Sequence, residues 1–228
     1  MIHSPYITVF AGLFGSGKTN LAANYAMHLK RRGEEVVLLD MDVVNPLFRM
    51  SELSALLAEK GIAVITPSYA GTNIDIPALP CTMEGILQDA GKRRIVIDLG
   101  GDDIGATALW RYAGVIASAG YEMLYVYNCY RPFAQTAQEA HLGMMEIERA
   151  ARLTFTHIAA NPNLGEETTR ETVLFAKRQT EALSRLSGLE VAFTAVMEGI
   201  PVSAEEVASS LFPIQILLNR AGALRPAG

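Results

Sequence analysis

Short runs of apolar, often β-branched residues alternate along this chain with longer stretches whose apolar positions recur every three or four residues. The short runs predict strands at Ile7–Ala11, Glu35–Leu39, Ile62–Thr66, Arg94–Leu99, Met123–Asn128, Thr156–Ala160 and Leu189–Ala195. Val36-Val37-Leu38-Leu39 and Ile95-Val96-Ile97 are apolar throughout, as strands buried on both faces of a parallel sheet are. The longer stretches predict helices at Lys18–Arg32, Pro46–Lys60, Met83–Ala90, Gly105–Ser118, Ala134–Arg152 and Glu166–Ser187. Gly33, Gly61 and Gly188 stand where helix C-caps belong. Regular alternation of the two kinds predicts an α/β fold, a parallel sheet covered by helices. No repeat, low-complexity segment or linker interrupts the pattern, so residues 1–228 are expected to form one domain. Ser68–Pro80, with Gly71, Pro77 and Pro80, is the longest stretch expected to be irregular.

The first strand runs into Gly12-Leu13-Phe14-Gly15-Ser16-Gly17-Lys18-Thr19, which opens the first helix. This is G-x-x-x-x-G-K-[ST] in a strand–loop–helix setting, the pattern of a phosphate-binding loop. Glycines let successive backbone N–H groups turn inward around a phosphate chain, and the helix adds the positive end of its dipole. Gly12, Gly15, Ser16, Gly17, Lys18, Thr19 and Asn20 are therefore the expected nucleotide contacts. Lys18 would reach the β- and γ-phosphates and carry catalytic charge, and Thr19 would place its hydroxyl on Mg²⁺.

Such a loop needs carboxylates for the magnesium shell and for the attacking water. Two strand ends supply them: Leu39-Asp40-Met41-Asp42, and Asp98-Leu99-Gly100-Gly101. In an open parallel sheet the strand C-termini line the ligand crevice, so both segments can face the loop. Asp40 and Asp98 are assigned with Thr19 to the metal, and the Gly101 N–H to sensing the γ-phosphate. Asp102 and Asp103 read as solvated loop carboxylates.

Bulk properties narrow the partners. Half of the residues are hydrophobic and 19% are charged, which is the balance of a globular chain. A net charge of −5 gives no strong nucleic-acid signal. Cys81 and Cys129 lie far apart in no metal-ligating pattern, which fits a reducing cytoplasm. Met1–Tyr6 lacks the basic and apolar regions of a signal peptide, and no apolar run approaches a transmembrane segment. A cytoplasmic, soluble protein is expected. His3, His28, His141 and His157 show no metal spacing. Leu211–Leu218 is apolar but interrupted by Pro213, and reads as a short final strand or core segment.

The loop, the Leu39–Asp42 segment and the Asp98–Gly101 segment together resemble the CobQ/CobB/MinD/ParA group of SIMIBI-class P-loop NTPases. The resemblance extends over most of the chain, to the strand near Ala195. It implies a mainly parallel sheet of seven or eight strands in a three-layer sandwich. It also implies hydrolysis coupled to a protein partner and, in many members, a nucleotide-dependent homodimer. Asp42, the second carboxylate after strand two, would on this reading help orient the attacking water. MinD- and ParA-type loops carry a lysine after the first glycine that reaches the partner's nucleotide; here that residue is Leu13. The resemblance is thus nearer to the loosely defined nucleotide-binding members than to dedicated partitioning ATPases.

Guanine-specific P-loop proteins often end a strand with N-K-x-D. The matching place reads Asn161-Pro162-Asn163-Leu164, without the lysine or the aspartate, which tilts the base towards ATP over GTP. Asn161 either contacts the base or belongs to a simple turn. Gly199-Ile200-Pro201 is a further candidate for the adenine edge, by resemblance. Asn45 and Pro46 read as a helix start. Arg49 and Arg131 are each either an anion contact or an ordinary surface cation. The expectation is a magnesium-dependent nucleotide switch with slow hydrolysis. Two alternatives stay open: an ATP-dependent biosynthetic enzyme of the CobQ/dethiobiotin-synthetase kind, and a non-enzymatic nucleotide-sensing maturation or scaffold factor.

Overall fold

The computed structural model describes residues 6–41, 49–65, 83–100 and 103–217. Eight strands and eight helices alternate through them: β1 (Ile7–Ala11), α1 (Lys18–Arg31), β2 (Val36–Met41), α2 (Arg49–Glu59), β3 (Ala63–Ile65), α3 (Met83–Gln88), β4 (Arg94–Leu99), α4 (Asp103–Trp110), α5 (Ala113–Ala119), β5 (Tyr121–Tyr127), α6 (Ala137–Ala151), β6 (His157–Ala160), α7 (Arg170–Ser187), β7 (Glu190–Met197), α8 (Ala204–Val207) and β8 (Leu211–Ile214). The strands form one sheet in the order β3-β2-β4-β1-β5-β6-β7-β8, and every pairing is parallel. All strand C-termini therefore open on one edge of the sheet.

Alternation along the strands divides the interior into two cores. Ile7, Val9, Val37, Leu39, Ile95, Ile97, Met123 and Tyr125 point to one face, where Leu109, Ile116, Ala140, Met144, Ile147 and Leu183 of α4 to α7 cover them. Phe10, Val36, Leu38, Val96, Leu124 and Val126 point to the other, under Leu21, Ala22, Ala26 and Leu29 of α1 and Leu53 and Leu57 of α2. The result is the expected three-layer α/β sandwich. Among the described residues no helix is long and apolar enough to cross a membrane.

Several boundaries differ from the pattern-based expectation, each for a local reason. The stretch expected as one helix over 105–118 is two, α4 and α5, divided at Arg111-Tyr112, where the Tyr112 N–H closes a tight turn on the Leu109 carbonyl. Helix α6 starts at Ala137 rather than Ala134 because Thr136 caps it, accepting from the Glu139 N–H while the Glu139 carboxylate accepts from the Thr136 N–H. Thr169 does the same for α7, which starts at Arg170 rather than Glu166. The apolar tail is a strand, β8, and Pro213 is tolerated because β8 lies at the sheet edge with Pro213 exposed.

Candidate functional site

Strand order changes direction at the centre of the sheet: from β1 the chain moves outward through β2 and β3, and from β5 it moves the opposite way. A crevice forms at the carboxyl edge of such a switch point. The segment Gly12–Gly17 fills that place, leaving β1 and entering α1.

Close backbone approach dictates the glycines there. A Cβ on Gly12 would lie 2.5 Å from the Val126 carbonyl oxygen of β5, and one on Gly17 would lie 2.3 Å from Nδ2 of Asn161. Gly17 is left-handed, with φ 92 and ψ 21, and no side chain caps the first turn of α1. That turn carries no acidic residue, so the helix dipole meets no competing carboxylate. Within the loop the Ser16 N–H donates to the Leu13 carbonyl at 3.1 Å. Lys18 is buried at 7% exposure and its Nζ donates to the same carbonyl at 3.2 Å, lying across the concavity.

The strand-end carboxylates converge on this loop. Sheet register sets Asp40 of β2 directly beside Asp98 of β4, and Asp98 beside Phe10 of β1. Residues paired this way share a face, here the one covered by α1, whose first turn holds Lys18 and Thr19. Both carboxylates are 1% exposed. Strands pair about 4.8 Å apart, so the register sets two buried carboxylates side by side at the crevice edge of the sheet. Among the described residues no three His, Cys, Asp or Glu side chains cluster as a metal cage. The donor set is instead two carboxylates and a hydroxyl beside a phosphate cradle, which fits magnesium, an ion held by few carboxylates and by substrate phosphates.

Asn161 is brought to the loop from β6, 145 residues away. Its Nδ2 donates to the Ser16 carbonyl at 2.7 Å, and its backbone N–H donates to the Tyr127 carbonyl at 2.7 Å. The side chain thus braces the phosphate loop, a role that neither the base-contact nor the simple-turn expectation included. Replacing Asn161 with alanine leaves the buried Ser16 carbonyl unpaired, at a cost of about 1–3 kcal/mol. The ligand-free variant is expected to melt roughly 2–10 °C lower. A residue serving only the base would leave that melting temperature unchanged.

Asn20, expected at the nucleotide, has its side chain engaged elsewhere: Nδ2 donates to the Gln215 carbonyl at 3.0 Å and Oδ1 accepts from the Leu217 N–H at 2.8 Å. Asn24, one turn on, exchanges two bonds with the backbone of Gln215. The two amides clamp the segment after β8 to α1. Leu13, at the place of the MinD/ParA lysine, packs into the core on Gly143 of α6, where a Cβ would approach its Cδ2 to 2.7 Å.

Cys129 is a free thiol at 6% exposure whose pKa burial pushes up to about 11, so it is an inert wall of the core. Glu122, near the far end of β5, is pushed up by burial against the opposing pull of His157 3.4 Å away, and lies outside the site. Gly199 and Ile200 follow β7 on the crevice edge of the sheet. Asp42, Asn45, Pro46, Gly101, Asp102, Cys81 and Ser68–Pro80 fall outside the described residues, as do the side chains of Arg49 and Asp103.

No protein-family model and no curated protein matches the chain. Solved structures do. The cell division protein FtsY of Thermotoga maritima superposes with a TM-score of 0.58 at 19% identity, covering 91% of this chain and 68% of that one. FtsY of Mycoplasma mycoides gives 0.55 at 12% identity, over 91% and 66%. The signal recognition particle receptor FtsY of Elizabethkingia anophelis, in complex with GDP, gives 0.53 at 17% identity, over 91% and 63%. The chain thus spans about two thirds of each. At these identities the similarity is one of fold, a parallel α/β sandwich of the P-loop NTPase kind, and it does not single out a MinD/ParA or CobQ/CobB branch.

Proposed function

We propose that this chain is a magnesium-dependent nucleotide-binding NTPase, favouring ATP, that works as a slow nucleotide switch. The observation that carries the reading is the meeting of three features at one sheet edge. These are a loop in which a Cβ on Gly12 or Gly17 would clash, an uncapped helix start bearing Lys18, and two buried carboxylates in register beside it. Each is costly to a fold that binds nothing there, and together they complement a metal-bound polyphosphate.

On this reading the loop N–H groups and Lys18 bind the phosphate chain and stabilise charge that builds on it during hydrolysis. Thr19, Asp40 and Asp98 would hold the magnesium ion, which when bound neutralises phosphate charge. Asp42 would orient water, and Gly101 would report the terminal phosphate. Leu13, turned into its own core, removes the contact that MinD- and ParA-type partners exchange, so switching would act through a different protein surface.

Asn161-Pro162-Asn163-Leu164 lacks the lysine and aspartate that read guanine, which favours ATP. The GDP bound to one structure of similar fold makes GTP the second arm of the test. Calorimetric titration with ATP and with GTP, each with and without Mg²⁺, is expected to give magnesium-enhanced binding of ATP. A GTP preference would overturn the base assignment, and binding of neither would overturn the function.

A further inference from the structure

The connection between β5 and α6 is Asn128-Cys129-Tyr130-Arg131-Pro132-Phe133-Ala134-Gln135-Thr136, and it is tied down on both sides of Arg131. Asn128 is buried at 1% exposure; its Nδ2 donates to the Asn163 carbonyl at 2.9 Å and its Oδ1 accepts from the Tyr130 N–H at 3.0 Å. The Tyr130 hydroxyl donates to the Thr172 carbonyl of α7 at 2.8 Å. The Arg131 N–H donates to the Asn128 carbonyl at 3.1 Å, and the Ala134 N–H donates to the Arg131 carbonyl at 3.2 Å. Phe133 is left-handed, with φ 60, although its ring is 80% exposed, so the bend does not serve to bury it. The effect of these constraints is to fix the backbone from which Arg131 extends.

Arg131 extends over the middle of the phosphate loop. Its Cδ lies 3.6 Å, and its Nε 3.8 Å, from where a Cβ on Gly15 would stand. The Nε is buried with no hydrogen-bond partner, and among the described residues no carboxylate forms an ion pair with Arg131. A surface cation with nothing to bind keeps its guanidinium in water. This one lies along a loop built for an anion and holds a shielded donor in reserve. A guanidinium stays charged at any working pH and offers a planar fork that fits two phosphate oxygens at once.

We infer that Arg131 binds the terminal phosphate of a nucleoside triphosphate in cis and makes this pocket tell triphosphate from diphosphate. The inference rests on the nucleotide-binding reading above and adds to it the residue that senses the third phosphate. The loop backbone would hold the phosphates that a diphosphate also carries, with Lys18 bridging from the second to the third, whereas the Arg131 guanidinium over Gly15 would meet the end that hydrolysis removes.

The test compares wild type with Arg131→Ala and Arg131→Lys by calorimetry, using the magnesium complexes of ADP, GDP and the adenosine and guanosine imidotriphosphates. Arg131→Ala is expected to weaken the imidotriphosphate of the preferred base about 10- to 100-fold and to leave the diphosphate within about 3-fold. Arg131→Lys, which keeps the charge and loses the fork, is expected to fall between. Equal weakening of both nucleotides, or of neither, would overturn the role of Arg131 while nucleotide binding stands. Failure of wild type to bind any of the four would overturn the parent reading and this one with it.

Discussion

Replacing Lys18 with alanine is expected to raise the dissociation constant for ATP at least about a hundredfold while the ligand-free protein stays folded. The magnitude follows from the proposed contacts: reaching two phosphates, the ammonium would form charge-assisted hydrogen bonds of about 1.5–3 kcal/mol each. The fold is spared because Lys18 supports no core, and its Nζ donates to the Leu13 carbonyl of its own loop. The residue is nevertheless only 7% exposed, set among the loop backbone with Asp40 and Asp98 on the strands beside it. Its replacement deletes a largely desolvated cation beside two buried carboxylates, so the melting temperature is expected to fall by roughly 4–12 °C while the unfolding stays cooperative. Titration calorimetry and thermal circular dichroism on the same preparation separate the two effects. A folded Lys18→Ala variant that keeps its affinity for MgATP would sink the functional proposal outright.

What the sequence reveals and what it hides divide by distance along the chain. The phosphate loop is legible because its chemistry sits in eight consecutive residues, Gly12–Thr19, between a strand and a helix that announce themselves by pattern. The limits of β1 and β4 are legible too, since each is a mainly apolar run that ends at a glycine, Gly12 and Gly100. Strand β2, by pattern a strand to Leu39, runs on to Met41, because pairing with Asp98 and Leu99 of β4 carries the polar Asp40 into the sheet. That pairing is non-local and leaves no mark in the strand itself. The same holds for the juxtapositions that finish the site. Asn161 meets Ser16 across 145 residues, Leu13 meets Gly143, and Arg131 meets Gly15, each brought together by strand order alone. Asn20 shows the converse for its side chain. Its place next to Thr19 suggests a nucleotide contact, but the helix turns its amide towards the tail of the chain. The start of α6, expected at Ala134, lies at Ala137, because the Thr136–Glu139 capping box, a local signal the apolar periodicity does not carry, sets it there.

Gly12→Ala is expected to be the more damaging substitution, because it breaks the cradle itself. Gly12 has φ +157, a conformation that L side chains rarely adopt, and a Cβ there would sit 2.5 Å from the Val126 carbonyl oxygen and 3.2 Å from Ser16 Oγ. Ser16 could rotate away, but Val126 belongs to β5, whose hydrogen bonds to β1 and β6 hold it at the centre of the sheet. The variant must either part β1 from β5 or refold the loop to a different φ. Strain of this kind costs about 2–4 kcal/mol, a fall in melting temperature of roughly 5–15 °C. Nucleotide binding should be lost with it, since reorienting one peptide of the loop turns its N–H away from the phosphates. Gly165→Ala separates strain from clash: Gly165 is also left-handed, at φ +69, but nothing lies within 4 Å of its Cβ position. It should cost only about 1 kcal/mol and leave binding intact. If Gly12→Ala binds MgATP as wild type does, the close approach of β1 to β5 is a packing feature and the phosphate site lies elsewhere.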